Sequence, residues 1–246
     1  MIEQFQHSGR ISIRNTAFFL FRSLLDFVYP PYCVLCGGQV KQDNGCICGA
    51  CDSDIPRLEK FRIPAGEMDV PDAACFKFGH IISVFEYKDL LPHLVHLFKY
   101  RQSTVLVNYF GEQLCRGLSC LDDIDYDGII PVPLHPVRKR ERGYNQSGLL
   151  AGYVSRRVRV KLINQALKRG RYTDPQAKQT REARIQNLRG AFRVAAPGYI
   201  RDRKILLVDD VVTTGSTVNE CARVLMQAGA VSVDVLSLAR VEKKFV

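Results

Sequence analysis

The chain has 246 residues, is 46% apolar and 24% charged, and carries a formal net charge of +10. These proportions exclude a low-complexity or disordered chain and describe a soluble globular protein with room for one ordinary domain and a small second one. The charge is localised: residues 131–204 hold 19 Lys/Arg against 4 Asp/Glu, a balance of +15, while the remainder sums to −5. Such a stretch is either a set of solvated basic loops or a surface for an anionic partner, a polyphosphate or a nucleic acid.

Residues 1–15 read as a disordered tail. They lack the cationic start and apolar core of a secretory leader, so the expected location is cytoplasmic. Residues 16–29 predict a short helix with Phe18, Phe19, Leu24, Leu25, Phe27 and Val28. Arg22 and Asp26 interrupt it, and it is too short to cross a bilayer. A peripheral position at the inner membrane is the weaker reading, since a surface-lying helix usually carries a richer basic face. Pro30-Pro31 stops the helix. Five of the nine cysteines follow within residues 33–51, and in a reducing compartment they read as metal ligands rather than disulfides. Cys33-x-x-Cys36 and Cys48-x-x-Cys51 form two knuckles that suit a small ribbon around one tetrahedral, structural Zn²⁺. Cys46 competes with Cys48 but would make an unusual C-x-C, so it ranks below. The alternative is a set of small buried thiols without metal. The helix and ribbon together span 16–60, and 61–79, rich in Pro and Gly, reads as a linker to a main domain over 80–246.

That domain opens with a strand, His80–Tyr87, and a helix, Leu90–Phe98, with Lys99 at its end. His93 and His96 are three apart on it and read as surface or packing residues. A second helix covers roughly 103–119. Cys75, Cys115 and Cys120 read as structural. The strand Gly128–Val132 feeds a long loop, 133–146, and then a helix through Leu149, Leu150, Tyr153 and Val154. Arg138, Lys139, Arg140 and Arg142 put four cations in five positions, a seat for pyrophosphate. Residues 162–168 suggest a strand. The stretch 169–189 is a long basic loop carrying Lys178, Arg181 and Arg184, long enough to be functional or disordered and placed to close as a lid over a polyphosphate. Ala191–Val194 is a short strand.

The most informative stretch comes next. Ile205–Val208 is a continuous aliphatic run, the mark of a strand buried on both faces. Asp209 and Asp210 end it, and Val211, Val212, Thr213, Thr214, Gly215, Ser216 and Thr217 lead into a helix that runs to Gly229. A last strand spans Ser232–Ala239. Free N–H groups, the helix dipole and the hydroxyls favour a phosphate at that helix start, and Gly215 lets the backbone approach closely. The carboxylates would repel a phosphate, so they must face hydroxyls or a metal. A sugar phosphate satisfies both halves; the bland alternative is a strand ending in a solvated acidic turn. Neither a P-loop nor a dinucleotide fingerprint is present.

This pattern resembles the phosphoribosyl-pyrophosphate (PRPP) motif of type I phosphoribosyltransferases. Three segments in order widen the resemblance: V-P-L-H-P-x-R-x-x-x-R-G-Y-N-Q-x-x-x-L-A (132–151), K-Q-T-R-x-x-R-x-x-N-x-x-G-A-F (178–192) and L-L-V-D-D-V-V-T-T-G-S-T (206–217). With the cysteine knuckles before them, they resemble the ComF family of competence protein F-like and GntX-like proteins. The resemblance implies an α/β type I phosphoribosyltransferase fold, a parallel sheet flanked by helices, with a small N-terminal zinc-ribbon domain. Many family members carry a further cysteine knuckle, but here that region holds only Cys75, so one zinc is expected. The implied role is natural competence: DNA uptake as single strands, or DNA utilisation, alongside a competence helicase and other uptake components.

The resemblance also implies roles for residues. Arg142 and Gly143 belong to a pyrophosphate loop, Lys178 and Arg181 to a flexible loop, and Lys99 lies near the site. Asp209 and Asp210 would hold ribose hydroxyls, residues 211–217 the 5′-phosphate, and Mg²⁺ would bridge ribose and pyrophosphate oxygens. Catalysis, if any, would rest on Asp209, Asp210, Arg142 and Lys178, with Arg138, Lys139 and Arg140 offered to single-stranded DNA. A phosphoribosyltransferase with an unidentified acceptor is the second reading. A zinc-stabilised adaptor with a vestigial site is the third, and the intact acidic pair argues against it.

Overall fold

A computed structural model describes residues 32–40, 45–68, 70, 75–100, 105–121, 124–170 and 188–242. The expected tail at 1–15, the helix at 16–29 and most of the basic loop, with Lys178 and Arg181, lie outside them. The chain divides into two compact units, Met1–Asp52 and Ser53–Val246.

The first unit is a pair of tight turns. Cys33 N–H donates to Gly38 O at 2.7 Å and Gly37 N–H to Cys33 O at 2.9 Å, closing the first knuckle, and Tyr32 pairs with Gln39 as an isolated bridge. Val34 N–H donates to Cys46 O at 3.0 Å and ties the second knuckle to it. A short helix, α1 (Gly49–Ser53), follows. Among the described residues of this unit, Val40, Cys46 and Ile47 are buried beside Cys33.

The second unit is an open sheet. Its strands are β1 (Arg62–Pro64), β2 (His80–Glu86), β3 (Gly128–Pro131), β6 (Lys204–Val212) and β7 (Ser232–Arg240), in the order β1-β2-β7-β6-β3. All pairings are parallel except β1 with β2. A separate antiparallel pair joins β4 (Leu167–Arg169) and β5 (Phe192–Val194). The helices are α2 (Leu91–Tyr100), α3 (Val105–Ser119), α4 (Pro136–Arg142), α5 (Gln146–Val158) and α6 (Ser216–Gln227). Helix α3 packs on β2 and β7, and α5 on β3 and β6, while α6 packs on β5, β6 and β7.

Both faces of the sheet are therefore covered, which is why Ile205 to Val208 are all buried. Ile205 and Leu207 join Val233, Val235 and Ile81 in a core with Val218, Cys221, Ala222 and Leu225 of α6. Helices α3 and α5 meet at Gly111, where an added Cβ would sit 2.4 Å from the Tyr153 ring. Strand β6 pairs with β3 as far as Val208 and continues beside β7 to Val212. The loops after β3 and β6 thus open at the same carboxyl-end edge, where ligands bind in such sheets.

Three expectations change. The stretch 61–79 contributes β1 and a 3-10 turn at Ala65–Glu67, and buries Met68 and Phe78 in the α6-side core. The Arg240 side chain, 2% exposed, fixes the segment before it by donating to Lys60 O at 2.7 Å and Phe61 O at 3.2 Å. It is part of the second unit, not a linker. The expected loop 133–146 contains α4, started by Pro136 at its first turn and a His135 cap, and ended by Gly143 at φ +78°. Residues 162–168 are two pieces: Leu162 bridges Ile129 in parallel, and β4 begins at Leu167.

Candidate functional site

In the first unit the sulfurs of Cys33, Cys36, Cys48 and Cys51 all lie within 4.8 Å of one another, and Cys36 Sγ is 3.7 Å from Cys48 Sγ. Four thiolates around one tetrahedral zinc at a Zn–S distance of ~2.3 Å stand ~3.8 Å apart, so the set fits the ion. Backbone N–H groups point at the sulfurs: Gly38 to Cys36 and Cys48 to Cys33, each at 3.4 Å, and Cys51 to Cys48 at 3.5 Å. Burial pushes the Cys33 thiol up, but the N–H groups of Cys36, Cys48 and Leu35 outweigh it and bring it down to about 6. Crowding against Cys48, then burial, pushes Cys51 the other way. Such a cluster loses its protons together only to a cation. Cys46 is outside it; burial holds its thiol up at about 11.

In the second unit β6 carries Asp209 and Asp210 to the carboxyl edge. Asp209 is 8% exposed, and its Oδ1 accepts from Ser147 Oγ and from the Asp210 N–H, both at 2.9 Å. Burial, then the neighbouring Asp210 charge, raises its carboxyl to about 7, against the opposing pull of those hydrogen bonds and of Lys99. Asp210 Oδ1 accepts from Val211 N–H at 2.9 Å, and its Oδ2 lies 2.5 Å from Lys99 Nζ. The end of α2 thus delivers Lys99 to the acidic pair.

The turn after β6 forms a small pocket of about 30 Å³ lined by Asp209 and residues 211–218. Gly215, at φ +71°, is the N-cap of α6. A Cβ there would meet the Phe76 ring at 2.9 Å. The turn is closed by a hydrogen bond between Thr214 Oγ1 and Ser216 Oγ at 3.0 Å, and Lys77 N–H donates to Asn219 Oδ1 at 2.7 Å. The first turn of α6 lines this pocket, and the N–H groups of a helix's first turn lack intrahelical partners, which suits one phosphate.

The loop after β3 docks on the end of α2. Tyr144 OH donates to Phe98 O at 2.5 Å and Gln146 Nε2 to Lys99 O at 3.4 Å. Arg142 donates to Tyr100 OH at 3.1 Å and to Gln146 Oε1 at 3.3 Å, with its guanidinium 4.9 Å from the Tyr100 ring centre. The structure therefore joins Lys99, Asp209 and Asp210 directly, and Arg142 and Gly143 to the same edge. Arg138, Lys139 and Arg140 stand on α4. Ser147, Tyr100 and Phe76 were not foreseen: Ser147 lies within the α5 motif at a position read only as helix, and Phe76 sits in the stretch read as linker. Among the described residues no helix is long and apolar enough to cross a membrane.

Comparison with known proteins bears on both units. Residues 145–244 match the phosphoribosyl transferase domain family, and residues 24–62 match the double zinc ribbon domain family. The chain is 32% identical over 215 residues to competence protein F of Haemophilus influenzae, covering 85% of each. It is 30% identical over 228 residues to DNA utilization protein YhgH of Escherichia coli K12, covering 86% of this chain and 97% of that protein. Competence protein ComFC of Bacillus subtilis is 26% identical over 214 residues, covering 85% and 83%. The architecture is accordingly a type I phosphoribosyltransferase fold with an N-terminal zinc ribbon, whose four-cysteine cluster suits a structural Zn²⁺.

Proposed function

The chain belongs to the family of competence protein F and DNA utilization protein YhgH, and from that premise we propose that it is a PRPP-binding protein of DNA uptake or DNA utilisation. One observation carries the reading: at the end of β6 an acidic pair, Asp209 buried and Asp210 partly buried and engaged by Lys99, stands beside a phosphate-sized cradle. In it the ribose hydroxyls donate to Asp209 and Asp210, and the 5′-phosphate takes the N–H groups and hydroxyls of residues 213–217. Lys99 holds Asp210 in place through their ion pair. Arg142 leaves Tyr100 for the pyrophosphate, and Lys178 and Arg181 are assigned to the same group from beyond the described residues.

The acidic pair suits Mg²⁺. Asp210 Oδ2 is buried and has the Lys99 ion pair but no hydrogen bond, and a hard cation takes carboxylate and substrate oxygens. Bound with PRPP, the ion would neutralise pyrophosphate charge. The transferase reading is favoured by the same intact arrangement. In it an acceptor nucleophile bonds to ribose C1 as the C1–O bond to pyrophosphate breaks, and the chain's part is positioning and charge stabilisation. Single-stranded DNA is assigned to Arg138, Lys139 and Arg140 on α4, in cooperation with a helicase and other components of strand import. The location is cytoplasmic, with residues 16–29 as the means of any peripheral membrane contact.

Complementation tests the proposal. In a transformation-deficient or DNA-utilisation-deficient host lacking its own relative, the wild-type chain should restore the phenotype and Asp209→Asn/Asp210→Asn should not. Full restoration by the double variant would show that the role does not use this site.

A further inference from the structure

A second, larger cleft is lined in part by the loop after β3. It measures about 730 Å³ and is bounded by α4, the first turn of α5 and the β4–β5 pair. It shares no lining residue with the small pocket beside α6. Its size is that of a small-molecule site, ~300–1,000 Å³.

Its charge is one-sided. Lys139, Lys168, Arg169 and Arg193 line it, and among the described residues no Asp or Glu does. Lys168 and Arg193 are register partners across the β4–β5 pair. Like charges directly opposite one another destabilise a strand pair, so the two strands hold an unfavourable arrangement that an anion between them would relieve. Arg169, one residue along, is half-buried, with its guanidinium 5.3 Å from the ring centre of Phe192, its own register partner. Burial and the charge of Arg138 both press its proton affinity down. A cleft lined by one sign of charge focuses potential on an incoming counter-charge.

The rest of the lining is not that of a bare phosphate site. Tyr144, Leu134 and Leu149 give it an aromatic and aliphatic wall. Asn145 donates its amide to Val132 O at 3.0 Å, and its Oδ1 is buried without a hydrogen-bond partner. A buried acceptor in that state calls for a donor. Cations and an apolar wall together suit a phosphate joined to a flat heterocycle.

We propose that this cleft is a second ligand site, beside the α6 phosphate cradle and bordering the pyrophosphate loop at Gly143, that takes a nucleotide unit with its phosphate on Lys139, Lys168 and Arg193 and its base against Tyr144. The unit comes either as a free mononucleotide or as one residue of a single strand. The second source rests on the DNA reading above; the first does not.

The test uses the full chain, zinc-loaded. Calorimetry measures dAMP, dTMP, thymidine and a thymidine tetranucleotide at about 50 mM and about 200 mM salt, against wild type and Lys168→Ser/Arg193→Ser. A mononucleotide or the tetramer binds wild type, weakens with salt, and loses about tenfold or more in the variant, and thymidine binds far more weakly than dTMP. A tetramer tighter than both mononucleotides identifies a strand as the source; the reverse order identifies a free nucleotide. PRPP affinity stays the same in this variant, so failure here and failure of the PRPP reading are told apart. The proposal is overturned if no probe binds wild type at millimolar concentration, or if the variant binds them as wild type does.

Discussion

Asp209 is held in a place that disfavours its charge, and Asp209→Asn should show this as a pH-dependent gain in stability. Its carboxyl titrates at about 7 in the fold, where burial and Asp210 raise it, against an ordinary 3.8. Between those values the folded chain holds a proton that the unfolded chain has lost, so wild-type stability falls as pH rises through that window. At 1.36 kcal/mol per pH unit, the full span is about 4 kcal/mol. Between pH 5 and pH 8.5 roughly 2–3 kcal/mol of it accrues. Asparagine keeps the acceptor for Ser147 Oγ and the Asp210 N–H but has no charge to desolvate. Urea unfolding of both proteins, followed by circular dichroism with zinc present, gives the difference at each pH. Any fixed packing cost of the substitution cancels between the two. The variant should gain about 2 kcal/mol or more relative to wild type on going from pH 5 to pH 8.5. A difference that does not change with pH, or that moves against the variant, would refute the reasoning.

Zinc analysis should find metal retained by Cys46→Ser and lost from Cys48→Ser, with chelation unfolding the first unit, because four sulfurs and not Cys46 form the cluster. Gly215→Ala should cost about 1–3 kcal/mol in denaturation, from its φ of +71° and the Phe76 ring 2.9 Å from the added Cβ; adding Phe76→Leu should recover the steric part only. Lys99→Met should weaken PRPP by about tenfold or more in calorimetry, since it strips the partly buried Asp210 of its cation. Single-strand affinity should fall steeply with salt, and Arg138→Ala/Lys139→Ala/Arg140→Ala should flatten the slope of log affinity against log salt by up to about two.

Much of the site was legible because its signals are local. The aliphatic run, the acidic pair and the T-T-G-S-T turn lie in one thirteen-residue stretch, and short cysteine knuckles dictate their own geometry. What escaped was either punctuation read the wrong way or contact across the fold. Pro136 fell in a stretch read as loop, but at the first turn of α4 it is a helix starter, and Gly143 supplies the stop. The prolines and glycines of 61–79 suggested a linker, yet β1 finds its partner in β2 and Arg240 reaches back from the last strand to hold the segment. Ser147 meets Asp209 from 62 residues away in sequence, and neither neighbourhood announces the other. Lys99 was placed near the site by resemblance alone; the structure supplies the reason, an ion pair delivered by the end of α2.

The measurement that bears most directly on the central claim is calorimetric titration of PRPP with Mg²⁺ into wild type and into Asp209→Asn/Asp210→Asn. Wild type should bind saturably at one site per chain, and the double variant should lose that binding. No binding to wild type, or equal binding to both, would contradict that claim and leave the fold a scaffold for the zinc ribbon and the basic cleft.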